Sequence, residues 1–249
     1  MSFARLKIPD CLAIMVRMKV NLKPWLARIA DVCFPKQCLL CGRTLLGTEN
    51  HVCTLCLAAL PRSEITKTQD SPMKDAITGV RGIADANAVF SYVHGNDVAH
   101  LVHEFKYHGY HSLAVEMGRL MYDEMFRMAI LGDYDAIVPV PLHWTRLMKR
   151  GYNQTECLGH GLSEKSGWPV ENLLKARRHG SQTRHSGALR RVNPKGKYYL
   201  RDDARTKGRH FLLIDDVFTT GSTILAAAEA LLSRADCRVT LLTFSLTNG

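Results

Sequence analysis

His210-Phe-Leu-Leu-Ile-Asp215-Asp216-Val-Phe-Thr219-Thr220-Gly221-Ser222-Thr223-Ile224 is the stretch around which the rest of the chain is organised. Phe211 to Ile214 are consecutive apolar residues, and a run without alternation has no side to show to water, so it predicts a strand buried on both faces. Two aspartates end that strand. A short loop of hydroxyls around one glycine follows, and Ile224, Ala228, Leu231 and Leu232 then recur at helical spacing. Strand, acidic pair, polar loop and helix in this order predict an α/β unit.

The order also has a chemical meaning. The first backbone N–H groups of a helix have no internal partner and carry the positive end of its dipole, which suits a phosphate. Thr219, Thr220, Ser222 and Thr223 add hydroxyls around Gly221, whose missing side chain lets the backbone approach an anion. The aspartates at the carboxyl end of the strand are placed to accept hydrogen bonds from neighbouring sugar hydroxyls. The plainer reading, an Asp pair closing a strand before a Ser/Thr cap, stays open on these residues alone. The string Asp-Asp-Val-x-Thr-Thr-Gly-Ser-Thr behind an apolar strand resembles the phosphoribosyl pyrophosphate (PRPP) signature of type I phosphoribosyltransferases. That resemblance implies that Asp215 and Asp216 hold the ribose hydroxyls and that Thr219, Thr220, Gly221, Ser222 and Thr223 cradle the 5′-phosphate, with Mg²⁺ accompanying PRPP.

The 249 residues, 46% of them apolar, are enough for one mid-sized domain and a small module. No apolar run approaches the roughly 18 residues of a membrane span, so a soluble protein without a transmembrane segment is expected. Residues 1 to 20 mix Arg5, Lys7, Arg17 and Lys19 with apolar residues, but Pro9 and Asp10 interrupt and no small-residue cleavage site follows. They read as a weakly ordered extension or as the product of a misplaced start codon. The net charge of +10 is concentrated: between Lys175 and Arg209 there are twelve Lys and Arg against Asp202 and Asp203, which accounts for all of it. Such a single-sign segment attracts pyrophosphate, nucleic acid or an acidic lipid surface unless it is only a solvated loop.

Cys38-Leu-Leu-Cys41 and Cys53-Thr-Leu-Cys56 are two C-x₂-C pairs separated by eleven residues, whereas Cys11, Cys33, Cys157 and Cys237 are scattered. Four thiolates on two tight turns close a tetrahedral zinc site, and Gly42 supplies a permissive turn after the first pair. Disulfides are the competing account, but scattered odd cysteines suit a reducing compartment, where paired cysteines more often bind metal. His51 and Cys33 lack the paired spacing and read as bystanders. The chain therefore divides into an extension with a short helix over 24 to 33 (residues 1 to 32), a zinc ribbon (33 to 61), a polar linker with Pro72 and Gly79 (62 to 80) and the large domain (81 to 249). In that domain a strand is expected over 84 to 93, a helix capped by Asp97, and a second, Met-rich helix over about 112 to 130 whose methionines read as core.

Asp135-Ala-Ile-Val-Pro139-Val-Pro141 predicts another buried strand, left at its prolines, and Leu142-His-Trp-Thr-Arg146-Leu-Met-Lys-Arg150-Gly-Tyr-Asn-Gln154 a basic loop running into a helix that Asn153 can cap. The strings Val-Pro-Val-Pro-Leu-His-Trp and Arg-Gly-Tyr-Asn-Gln, with the cysteine pairs, are similar to the ComF family, in which an N-terminal zinc ribbon joins a type I phosphoribosyltransferase-like domain. The resemblance spans about 33 to 249. It implies an α/β fold with a parallel sheet flanked by helices, a pyrophosphate loop at Pro141, Leu142, His143 and Arg146, and a flexible loop carrying Gln182, Arg190 and Asn193. His179 and His185 depart from the family pattern, where Thr and Leu are expected. Lys106, Tyr107 and Gly109 match a family string whose role cannot be read from sequence.

No G-x-x-x-x-G-K-[ST], no G-x-G-x-x-G after a strand, no H-E-x-x-H and no nucleophile elbow occurs. Three classes of function remain. As an enzyme, the protein would transfer the phosphoribosyl group to a nucleobase or related acceptor, with cationic loops neutralising departing charge and no catalytic residue assigned. As a binding protein, it would keep the PRPP pocket and handle single-stranded DNA, with Arg190, Arg191, Lys195 and Lys197 as candidate contacts. The resemblance implies this second class, with a role in DNA uptake or in use of DNA as nutrient. The family link to uptake places the protein in the cytoplasm or at the inner face of the membrane, beside uptake machinery. A transcription regulator would need a reader such as a helix-turn-helix, and none is found.

Overall fold

The computed structural model describes residues 35–63, 71–177, 196–201, 206–233 and 236–247. The helix expected over 24 to 33, the flexible-loop residues Gln182, Arg190 and Asn193, and the DNA-contact candidates Arg191 and Lys195 lie outside them. The chain divides after Leu57 into two compact units.

In the first unit, Gly42 at φ 71° turns the chain so that its N–H donates to Cys38 O at 2.9 Å, while Gln37 and Thr44 form an antiparallel bridge. The second cysteine pair enters helix α1 (Thr54–Ala59). Glu49 ties the two halves together: its carboxylate meets Arg43 at 2.7 Å and accepts the Leu46 and Thr54 N–H groups at 2.9 and 2.7 Å. Those donors, the Thr54 amide first, hold its pKa down at about 2.

The second unit contains a four-stranded sheet of β1 (Ile83–Tyr92), β2 (Ala136–Pro139), β5 (His210–Phe218) and β6 (Arg238–Thr247). Its order is β1-β6-β5-β2 and every pairing is parallel. This is the expected parallel sheet, and helices cover both of its faces. On one face Val138, Leu213 and Leu241 join Met73 of α2 (Pro72–Ile77) and Ile224, Ala227 and Leu231 of α7 (Ser222–Leu232) in a buried cluster. On the other, Ile137 and Ile214 reach α6 (Gln154–Ser166), where a Cβ on Gly159 would touch both. This face also carries α3 (Asp97–Tyr107), whose Phe105 ring meets Phe244, and α4 (His111–Arg127), packed on α6. Gly118 and Gly161 set that helix crossing: a Cβ at either would fall 2.1 or 2.0 Å from a backbone oxygen of the opposite helix, so only glycine fits.

Several boundaries differ from the sequence reading. The aspartates do not end β5, because pairing with β6 runs on through Asp215↔Thr243 to Phe218↔Leu246. Asn96 rather than Asp97 caps α3, with its side chain accepting the Ala99 N–H at 2.8 Å. The basic loop after Pro141 is largely helix α5 (Trp144–Arg150), closed by Gly151 in the left-handed region. The stretch 62 to 80 is not a bare connector. Arg62 bridges Phe90 of β1 and pairs with the buried Glu124 at 2.9 Å, and Ser71 caps α2, whose Met73 is fully buried. Local polarity concealed these anchors, since each rests on a single residue. A short antiparallel ribbon, β3 (Leu174–Ala176) with β4 (Tyr198–Leu200), stands apart from the sheet.

Candidate functional site

A cavity of about 720 Å³ opens where all four parallel strands end, lined by Tyr92 of β1, Val140 after β2, Asp215 to Val217 of β5 and Thr247 of β6. The carboxyl end of a parallel sheet is where the loops diverge and leave a crevice. Of the residues expected at a pyrophosphate loop, Pro141, Leu142, His143 and Arg146 all line it. Of the phosphate-loop residues, Thr219 and Thr223 line it, and Gly221 and Ser222 join them around an adjoining niche. Gly221 adopts φ 72°, and a Cβ there would sit 2.6 Å from the Phe218 ring, so the turn excludes any side chain. The N-cap residue Gly221 has no side chain with which to cap α7, and the first residues of that helix border the niche. Thr220 is exposed, with its hydroxyl 3.5 Å from the Ser222 amide.

The acidic pair is buried, each carboxylate residue retaining 7% of its surface. Asp216 is held from both sides, by Lys106 Nζ at 3.0 Å on Oδ1 and by Gln154 Nε2 at 2.6 Å on Oδ2. Asp215 accepts the Asp216 N–H at 2.8 Å. Burial first, and then the Asp216 charge, push the Asp215 carboxyl up to about 7. A raised native pKa contributes stability that is complete below the ordinary pKa of 3.8 and is lost as pH rises through about 7. Asp215→Asn removes that loss. Its melting temperature should match the parent near pH 4 and exceed it increasingly toward pH 8, where roughly three pH units at about 1.36 kcal/mol each bound the gain at about 4 kcal/mol. Scanning calorimetry across this range checks it, and a gap independent of pH would contradict it.

Lys106 and Gln154 were not assigned to the site from sequence, and the strings that contain them show why they belong there. Arg150 lies over the Tyr107 ring, 5.0 Å from its centroid, and Gly151 ends α5. The Tyr152 hydroxyl donates to Phe105 O, fixing the turn of α3 that presents Lys106. Asn153 caps α6 and donates to Val140 O at 3.2 Å. Gln154 then reaches Asp216. The five-residue string from Arg150 thus ties three walls of the cavity together.

Lys197, a DNA-contact candidate by sequence, lines this same cavity, where burial first and then Arg146 lower its pKa against the pull of Asp215. Tyr198 beside it is buried, and burial followed by the Asp215 charge pushes its phenol up. Among the described residues four buried side-chain polar atoms have no partner, and two of them, Gln154 Oε1 and Thr247 Oγ1, belong to residues lining this cavity.

In the first unit, the Cys38, Cys41, Cys53 and Cys56 sulfurs all lie within 4.8 Å of one another, and Cys41 and Cys53 are 3.8 Å apart. A tetrahedron with metal–sulfur arms of about 2.3 Å has edges of about 3.8 Å, so the donor set fits zinc, whereas a disulfide needs about 2.05 Å. The Cys56 amide holds the Cys53 thiol low, at about 6, while burial pushes Cys56 up.

No family model matches the chain. It is 34% identical over 137 residues to the DNA utilization protein YhgH of Escherichia coli K12, covering 53% of this chain and 60% of that one. Competence protein F of Haemophilus influenzae is 35% identical over 133 residues, covering 50% and 57%. Competence protein ComFC of Bacillus subtilis is 24% identical over 201 residues, covering 80% and 79%. The chain thus spans about three fifths of the length of the first two relatives, and these names bear out the ComF resemblance. Among solved structures, the allosteric regulatory enzyme of purine biosynthesis overlaps 57% of this chain and 30% of its own, at 19% identity and a TM-score of 0.42. The orotate phosphoribosyltransferase of Mycobacterium tuberculosis with inorganic phosphate overlaps 61% and 89%, at 14% identity and a TM-score of 0.33.

Proposed function

We propose that the chain binds PRPP with Mg²⁺ in the sheet-end cavity and takes part in handling single-stranded DNA, a reading supported by relatives named for DNA utilization and competence. The observation that carries the pocket is the convergence, at the carboxyl ends of four parallel strands, of an acidic pair, a hydroxyl loop at a helix N-terminus and the cations Lys106, Arg146, Arg150 and Lys197. In this reading Asp215 and Asp216 accept the ribose hydroxyls; a carboxylate has about four lone-pair sites, so Asp216 can do so while keeping Lys106 and Gln154. Thr219 to Thr223 take the 5′-phosphate, and Pro141, Leu142, His143 and Arg146 face the diphosphate. Mg²⁺ would be held by the ligand's oxygens and the two carboxylates, and would supply charge neutralisation. The raised Asp215 carboxyl is a stored cost that a bound cation or diol relieves, a common mark of a functional site.

DNA supplies the second half of the reading, at the cytoplasmic face of an uptake machinery; among the described residues no helix is long and apolar enough to cross a membrane. Titrating labelled single-stranded DNA into protein saturated with PRPP and Mg²⁺ tests the combination. Simultaneous binding is expected. Mutual exclusion, with pyrophosphate released when a nucleobase is added, would instead establish a phosphoribosyltransferase.

A further inference from the structure

Beside the sheet-end cavity lies a second, wider concavity of about 980 Å³. Trp144, Leu147, Lys175, Arg177 and Tyr199 line it, and Pro141, Leu142 and Tyr198 are shared with the first cavity. The β3–β4 ribbon accounts for its chemistry. Lys175 pairs directly with Tyr199, and the Arg177 N–H donates to Lys197 O at 2.9 Å. Period-two alternation turns Lys175, Arg177, Lys197 and Tyr199 outward, while Leu174, Ala176, Tyr198 and Leu200 pack toward the core and give the groove an apolar floor. Across the groove Trp144 keeps 42% of its surface and Leu147 42%, and Tyr199 keeps 41%. Among the described residues no carboxylate lines it.

Aromatic side chains interleaved with cations fit an anionic chain that offers unpaired planar rings. We propose that this groove holds a short run of single-stranded DNA, with bases stacked on Trp144 and Tyr199 and phosphates against Lys175 and Arg177. The proposal rests on the DNA-handling reading and names its surface. Stacking on aromatic platforms within a basic groove is how proteins bind single strands without reading sequence. Lys175 and Arg177 on the groove wall supply the complementary charge. Because Pro141, Leu142 and Tyr198 wall both cavities, the strand lies next to the PRPP pocket without filling it.

The test uses the full chain, zinc-loaded, and a labelled oligothymidylate of about fifteen nucleotides followed by anisotropy. Tyr199→Ala should weaken binding about tenfold, whereas Tyr199→Phe, which keeps the ring, should stay within about twofold. Tyr199 does not line the PRPP pocket, so both variants should keep the melting-temperature rise that PRPP and Mg²⁺ give the parent. Lys175→Gln with Arg177→Gln should lower the slope of log affinity against log salt by about 1.4, at about 0.7 per phosphate contact. A duplex of equal length should bind about tenfold more weakly or worse, since its bases are already stacked. Parent-like binding by Tyr199→Ala, or equal binding of duplex and single strand, overturns the groove and leaves the DNA reading standing. If the parent binds no oligothymidylate at low salt, the DNA reading itself falls and the groove with it.

Discussion

Replacing Cys38 and Cys53 together with serine takes zinc content from about one ion per chain to near zero, and the first unit loses its fold. Each substitution removes one donor from a different C-x₂-C turn, so neither turn retains a complete pair. Its described part, residues 35–57, is too short for a core of its own, and for zinc modules of this kind metal binding supplies the folding free energy, on the order of 10 kcal/mol or more at pH 7. Elemental analysis with far-ultraviolet circular dichroism checks this. Zinc retained by the double variant, or parent protein free of zinc when purified under reducing conditions, would show that the cysteines serve another purpose.

Lys106→Met destabilises the second unit by about 2 to 3 kcal/mol, and adding Asp216→Asn restores most of that loss. The Lys106 and Asp216 side chains keep only 18% and 9% of their surface, so removing the ammonium strands one carboxylate beside another with little water to screen it. Removing both charges together leaves Gln154 a neutral partner. A drop of roughly 4 to 12 °C in melting temperature is expected for the single variant, read by scanning calorimetry. Equal losses in the single and double variants would mean that Lys106 acts through packing rather than charge.

These two sites differed in how far they could be read from sequence. The cysteine cluster was legible because C-x₂-C spacing alone brings thiols together, and the structure needed only to bring one turn to the other. The parallel sheet was legible too, since Phe211 to Ile214 and Ala136 to Val138 are apolar runs with no exposed side. The pocket was half legible. Asp215, Asp216 and the hydroxyl loop lie in one local unit, whereas Lys106 and Gln154 reach Asp216 from distant points of the chain, and only tertiary structure shows that encounter. Lys106-Tyr107 at a helix end looks like ordinary surface until Tyr152 is seen anchoring the preceding carbonyl. The β3–β4 ribbon was missed because each of its strands has three residues, too few to display alternation against the surrounding charge. Helix α5 was missed because its basic, partly exposed residues carry no clear apolar stripe, and its limits are set by His143 and by the left-handed Gly151.

The central claim is that the sheet-end cavity is built for a phosphoribosyl diphosphate, and calorimetric titration of PRPP in the presence of Mg²⁺ tests it most directly. The account predicts saturable binding to the parent, accompanied by a melting-temperature rise of about 5 to 10 °C at a hundred times the dissociation constant. Both signals should be lost in Asp215→Asn with Asp216→Asn, although that variant still melts cooperatively. No heat and no shift with the parent at millimolar PRPP, or undiminished binding by the double Asn variant, would contradict it.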